Sequence, residues 1–266
     1  MADGGSLGAD FKGAVPDNAD KIAEMIKASS RIVFFGGAGV STESGVKDYR
    51  SEDGLYNTVK EYGVSPETIL SHSFFFRHTE TFYDFYRKYF IGGNVKPNKA
   101  HYALAKLEEA GKLSCVVTQN IDGLHQLAGS KTVYELHGTT SKYFCTDCYS
   151  KFSVDDVFGD GKNSQGVPRC EKCGGLIKPC VTLYEESLDW DVTERAVDAI
   201  EKADMLIIGG TSLTVYPASS YVRYYKGNRL VLINRQETSY DADAAVVSRD
   251  KVGLVLDAAV KLAGIV

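Results

Sequence analysis

Residues 31–41 read RIVFFGGAGVS. From Ile32 to Phe35 the run is apolar without alternation, and Gly36 and Gly37 stop it, which is the pattern of a strand covered on both faces that feeds a glycine turn. Runs of the same kind recur as SCVVT at 114–118, TVYEL at 132–136, DMLIIGG at 204–210 and RLVLIN at 229–234. Helical stretches separate several of them. In NKAHYALAKLEEAG, at 98–111, Ala103, Leu104 and Leu107 share one face and Gly111 supplies the stop; DVTERAVDAIEKA at 191–203 and VGLVLDAAVKLAG at 252–264 read the same way. Alternating buried strands and helices predict an α/β fold around a doubly wound parallel sheet.

Two stretches break this alternation, an aromatic one at 45–95 and a polar, cysteine-bearing one at 139–182. Both are expected to be insertions that form a smaller second domain. The boundaries are then 16–44, 96–138 and 183–266 for the parallel-sheet domain, 45–95 for a loop and helical module, and 139–182 for a ribbon, with 1–15 expected to be disordered. Within SHSFFFRHTETFYDFYRKYF, Phe75, Phe82, Phe85, Tyr86 and Tyr89 fall at helical spacing, so packing explains these aromatics better than a cofactor does.

A chain of 266 residues with 44% hydrophobic content can bury a sizeable core. The net charge of -5 offers no general attraction to nucleic acid and leaves a basic partner segment as the easier match. No run approaches the roughly 18 apolar residues of a membrane helix, and the N-terminus lacks the regions of a signal peptide. A cytoplasmic, monomeric protein with no membrane partner is the expectation.

Cys145 and Cys148, 21 residues, then Cys170 and Cys173 make a CxxC…CxxC pattern close to that of a zinc ribbon. Redox-active or incidental thiols are the other reading. Two such pairs in a polar segment too short to bury its own core favour one structural zinc ion, closed by four ligands and supplying folding energy.

The turn after the first strand, Gly36 to Ser41, resembles the opening of a dinucleotide fingerprint, whose glycines let amides approach a pyrophosphate. The last glycine of GxGxxG is Thr42 here, so taken alone the turn fits an ordinary strand-to-helix connection as well. A second glycine-bearing strand end, GGTSLTVYP at 209–217, and a polar one at Asn234 belong to the same carboxyl edge, where open α/β sheets bind ligands. Thr211 and Ser212 are candidates for phosphate there, and Asn234 for a ribose hydroxyl. Asp48 and Arg50 follow the turn, and Gln119, Asn120 and Asp122 follow a buried strand. These either cap a helix, as Asp122 can, or line a polar pocket. His137, followed by Gly138, is either a satisfied structural histidine or a general base facing that pocket. His125 reads as packing or capping, and His72, His78 and His101 have no polar company in sequence.

Taken together, GAGVSTESGVKDYR, TQNIDGLHQLAG, ELHGTT, the two CxxC pairs, GTSLTVYPA and VLIN resemble, in order, the motifs of the sirtuin family over residues 20 to 262. The resemblance implies a Rossmann-like NAD-binding domain with an inserted zinc ribbon and helical module, in a bacterial-type core. It implies an NAD-dependent protein-lysine deacetylase, in which NAD is spent as co-substrate beside a mobile cofactor loop and acylated lysine in a protein or peptide is the partner. Carried onto this chain, Ala38, Thr42, Tyr49 and Arg50 line the NAD site with Asp48 supporting the loop. Gln119 faces the ribose, and Asn120, Ile121 and Asp122 surround the nicotinamide. Thr211, Ser212, Asn234 and Lys251 serve phosphates and adenosine. The implied catalytic residues are His137, Asn120 and Asp122: the acyl oxygen takes the anomeric carbon, then His137 deprotonates a ribose hydroxyl, giving lysine, nicotinamide and O-acyl-ADP-ribose.

Departures from the family pattern bear on specificity. Where sirtuins read PNVVxFGE, this chain has PCVTLYEESL at 179–188, which keeps main-chain pairing with an extended peptide open while changing side chains. Tyr56 is followed three residues later by Val59, not by the Arg of members that remove acidic acyl groups, so neutral short acyl groups are expected. The rival readings are mono-ADP-ribosyl transfer to protein from the same pocket and a catalytically idle NAD sensor or zinc-ribbon adaptor.

Overall fold

The unbroken apolar run at 32–36 becomes a strand with every residue buried. The computed structural model describes residues 15–46 and 59–266; the expected disorder before Val15, and Asp48, Tyr49, Arg50 and Tyr56, lie outside them. Described elements run α1 (Ala19–Lys27), β1 (Ile32–Gly36), α2 (Ala38–Ser41), α3 (Val59–Tyr62), α4 (Pro66–Ile69), α5 (His72–Arg77), α6 (Thr79–Phe90), α7 (Lys99–Glu109) and β2 (Leu113–Thr118). They continue with α8 (Leu124–Leu127), β3 (Val133–Glu135), β4 (Gly138–Cys145), β5 (Lys151–Ser153), α9 (Val154–Phe158) and β6 (Ile177–Val181). The chain closes with α10 (Trp190–Lys202), β7 (Met205–Gly209), β8 (Leu230–Ile233), β9 (Val246–Ser248) and α11 (Val252–Leu262).

Six strands form one sheet in the order β3-β2-β1-β7-β8-β9, all neighbours parallel. Counted within this sheet the order is 3-2-1-4-5-6, the doubly wound Rossmann arrangement, whose two halves diverge between β1 and β7. Strand side chains alternate between two cores. Ile32 and Phe34 pack with α1, α7 and α11, whereas Val33 and Phe35 pack with α10 on the other face. Burial on both faces is why these strands read as continuous apolar runs.

The second domain is a three-stranded antiparallel sheet, β5-β4-β6, beside the helices α4 to α6. One core joins them: Phe75, Phe82, Phe85 and Tyr86 pack with Tyr143, Val157, Ile177 and Val181, and Tyr83 donates its hydroxyl to the Ile177 carbonyl. Each buried aromatic contributes on the order of 2 kcal/mol, so the helical aromatics give the ribbon an apolar surface that it cannot build alone. No described helix is long and apolar enough to cross a membrane.

Candidate active site and metal centre

The two glycine turns meet where the sheet divides. Gly37 N donates to Gly209 O at 3.3 Å and Gly39 N to Gly210 O at 2.8 Å. A side chain at Gly39 would bring its Cβ within 2.8 Å of the Gly210 Cα, so the pattern GAG is required by backbone contact as much as by any ligand. Ala38 opens α2 at this crevice, half-exposed, and Thr42 is exposed with its hydroxyl on Gly39 O at 3.0 Å.

The residues after β2 are tied to this turn by a polar network. Gln119 N donates to Gly36 O, and Asn120 Nδ2 donates to Gly37 O at 3.1 Å and to Ser41 Oγ at 3.0 Å. Ser41 in turn donates to Asp122 Oδ2 at 2.7 Å, while Asp122 Oδ1 accepts the Leu124 amide. Asp122 therefore does both things that its spacing allows, holding a helix start and joining the polar cluster. Gln119 Oε1 accepts from Thr211 Oγ1 at 3.1 Å, bridging the two halves of the sheet. Its Nε2 is buried with no partner inside the protein, an unmet donor of the kind that a bound ligand satisfies.

His137 lies in the two-residue link between β3 of the large sheet and β4 of the small one; the strand stops at Glu135 instead of running to Leu136 as its pattern predicts. Thr182 N donates to His137 O at 2.9 Å, which anchors the link to the segment after β6. The ring Nδ1 sits 2.8 Å from Gln119 O. A carbonyl can only accept, so Nδ1 carries the proton and Nε2 is the basic nitrogen. Burial lowers the His137 pKa below its ordinary value, the Gln119 carbonyl opposing the shift, and the neutral form dominates near pH 7.

Ile121 borders the small-domain core, its carbonyl accepting from the Thr140 amide and hydroxyl, both at 3.0 Å. Ser212 is half-exposed with Thr214 at 2.8 Å, and Asn234 at the end of β8 turns its amide to Gln236 O at 2.9 Å. Lys251 is exposed at the start of α11. The structure thus brings Ala38, Gln119, Asn120, Asp122, Thr211 and His137 to one crevice and leaves Asn234 and Lys251 farther along the same carboxyl edge.

Sequence reasoning missed the linking role of Ser41, whose partner Asp122 lies 81 positions away. It also left His101 without company. His101 and His125 are buried against each other, ring centroids 4.7 Å apart, and His101 accepts the Asn98 amide at the start of α7. Burial lowers His125 to about 3, the neighbouring imidazole adding to the shift, and lowers His101 to about 4 against the opposing pull of Asp122.

In the ribbon, the sulfurs of Cys145, Cys148, Cys170 and Cys173 all lie within 4.8 Å of one another, with 3.4 Å between Cys145 and Cys173 and 3.7 Å between Cys148 and Cys170. A tetrahedral zinc with bonds of about 2.3 Å has sulfur–sulfur edges of about 3.8 Å. The four sulfurs fit one zinc ion and fill its coordination, a structural site.

A doubly wound sheet whose split holds two interlocked glycine turns, a buried unmet amide and a neutral histidine defines a dinucleotide-using α/β protein. The chain belongs to the Sir2 family: the family model described as "Sir2 family" matches residues 37–217. An NAD-dependent protein deacetylase of Clostridium acetobutylicum is 54% identical over 241 residues, covering 91% of this chain and 97% of the relative. One of Clostridium tetani is 53% identical over 248 residues, covering 93% and 99%. Among solved structures, one described as "Structural Basis for the Mechanism and Regulation of Sir2 Enzymes" superposes with a TM-score of 0.84 at 36% identity, covering 93% of this chain and 98% of that one. A Sir2 complex with p53 peptide and NAD+ gives 0.81 at 36% identity, covering 92% and 98%.

Proposed function

We propose that this protein is an NAD-dependent protein-lysine deacetylase that passes the acyl group to ADP-ribose and releases nicotinamide. The observation that carries this reading is the pairing of His137 Nδ1 with Gln119 O beside the Asn120–Ser41–Asp122 network, all at the split of a Rossmann sheet. Bound NAD supplies the ADP-ribosyl group that takes over the acyl group. The chain's own residues arrange for that. Gly37, Ala38 and Gly39 would let the backbone approach the phosphates, with Thr211 and Ser212 as hydroxyl partners and Thr42 lining the site, and the unmet Nε2 of Gln119 would meet the ribose. Asn120, Ile121 and Asp122 would surround the nicotinamide, with Ile121 and Asp122 holding its carboxamide and Asp122 kept in place by Ser41. His137 Nε2 takes a proton from a ribose hydroxyl. By family resemblance Tyr49 and Arg50 are assigned to the NAD site, and Asn234 and Lys251 to the phosphates and adenosine.

Zinc on Cys145, Cys148, Cys170 and Cys173 holds the ribbon and takes no part in the chemistry. The domain boundaries that this reading uses are 16–44, 96–138 and 183–266 for the NAD domain, 45–95 for the cofactor loop and helical module, and 139–182 for the ribbon. The working unit of this reading is the monomer. Metal-binding CxxC pairs without disulfides suit a reducing cytoplasm. Neutral short acyl groups are the preferred cargo; faster removal of succinyl than acetyl from one peptide would overturn that.

The test is product analysis by mass spectrometry on an acetyl-lysine peptide. The reading requires O-acetyl-ADP-ribose in solution and nicotinamide equal in amount to deacetylated peptide. ADP-ribose attached to protein, with the acetyl group left on the peptide, would contradict it.

A further inference from the structure

The segment that leaves β6 runs from the histidine to the helical module and is stitched at both ends. Val181 pairs with Gly138, and Thr182 N donates to His137 O at 2.9 Å. Two residues on, Tyr184 bridges to Ser71 in parallel, its amide donating to Leu70 O and its carbonyl accepting the His72 amide, both at 2.9 Å. Glu186 Oε2 accepts from the Leu183 amide at 2.9 Å and from the buried Lys178 ammonium at 3.0 Å, and Oε1 meets His72 Nδ1 at 2.9 Å.

Glu185, between these anchors, has φ of 75°, a left-handed conformation that favours glycine. The sirtuin pattern FGE, matched here by Tyr184, Glu185 and Glu186, has glycine at this place, so this chain has replaced the residue that the backbone prefers. The carboxylate gives the replacement a physical purpose. Glu185 Oε2 accepts the Ser73 amide at 2.8 Å and Oε1 the Ser73 hydroxyl at 3.0 Å, so the side chain grips the first turn of α5. A strained conformation persists only where its surroundings over-determine it, and both neighbours of Glu185 are independently fixed.

We propose that Glu185 is a positioning residue for the acyl-peptide: its grip on Ser73 braces the turn that closes the segment 182–184, whose other bonds fix it beside His137, so that an extended peptide meets a rigid docking edge. This rests on the deacetylase reading. With glycine, the same backbone turn is kept but only the anchors at Thr182, Tyr184 and Glu186 remain, so the turn at 185 gains freedom that peptide binding has to remove. The cost then falls on peptide affinity and spares the cofactor and the chemical step.

The experiment compares wild type with Glu185→Gly, Glu185→Gln and Ser73→Ala by steady-state kinetics, varying acetyl-peptide and NAD separately. Glu185→Gly relieves the strain but deletes both charge-assisted bonds, so KM for peptide rises about tenfold, with kcat and KM for NAD within about twofold. Ser73→Ala removes one of the two bonds and gives an intermediate rise, about threefold. Glu185→Gln keeps one acceptor oxygen for the Ser73 amide and offers its NH2 as a donor to the Ser73 hydroxyl, and stays within about threefold of wild type. An unchanged peptide KM in both Glu185→Gly and Ser73→Ala overturns the proposal, as does a parallel rise in both KM values with falling kcat, which would mark a general structural role. A wild-type protein that releases no nicotinamide on the peptide would remove the deacetylase reading itself and this inference with it.

Discussion

Gly138 follows the histidine and starts β4, and replacing it by alanine tests the packing that holds His137. Its φ is 76°, which costs an alanine about 1–2 kcal/mol. The added Cβ would also stand 2.0 Å from the Cys180 carbonyl oxygen, 3.0 Å from its carbon and 3.1 Å from the Val181 Cα. All three are backbone atoms, so no side chain can swing away. Relief requires β4 and β6 to part at the Gly138–Val181 pair, next to the Thr182–His137 bond. Strain and lost pairing together reach on the order of 4 kcal/mol, at the upper end of single substitutions. Gly111→Ala is the control: φ is 68° with nothing within 4 Å of the added carbon, so only the conformational cost applies. Guanidinium denaturation of zinc-loaded protein, followed by tyrosine fluorescence and circular dichroism, gives both stabilities, and deacetylation gives kcat/KM. Gly138→Ala should lose at least about 2 kcal/mol more than Gly111→Ala and most of its activity. Equal stability losses in the two variants would refute the packing argument.

His137→Ala should lower kcat by about two to four powers of ten while leaving the denaturation midpoint near that of wild type; loss of folding instead would make the residue structural. Because burial lowers the His137 pKa, the base stays neutral below the usual histidine range, so the acid limb of kcat/KM should fall at a pH under about 6.5. A limb centred above 7 would contradict that. His101 and His125 carry a linkage of definite sign: the unfolded chain binds protons from about pH 6.5 downward, while the folded state resists them until about 4 and about 3. Stability is therefore fully present above that window and should drop by a few kcal/mol between pH 7 and 4, with a smaller drop in His125→Asn, as urea titrations at both pH values would report. Removing zinc with a chelator, or Cys170→Ser, should unfold the ribbon and abolish activity, with one equivalent of zinc released per chain; an active, metal-free protein would contradict the structural site.

The parts of the fold that are readable in sequence are those that local physics dictates. β1 is buried on both faces, so it shows as an unbroken apolar run, and the zinc site shows because each ligand pair must fit within one turn. GAG at 37–39 is readable as a turn, yet its reason, the approach of Gly39 to Gly210, joins residues 171 positions apart and leaves no local trace. The same holds for Ser41 with Asp122, for His101 with His125, and for Glu185 with Ser73. Glu185 looks like one more surface acid in PCVTLYEESL until the backbone angle and its partner are known. Asn234 is marked in sequence by its place at a polar strand end, whereas Lys251 is singled out only through family resemblance, because an exposed lysine is an ordinary feature.

The central claim, that acyl removal spends NAD at the His137 crevice, is tested most directly by stripping the purified protein of nucleotide with an NAD glycohydrolase and following an acetyl-lysine peptide by chromatography. Deacetylation should stop completely and return in proportion to the NAD added back, one nicotinamide for each lysine freed. Undiminished deacetylation by the stripped protein would contradict the account.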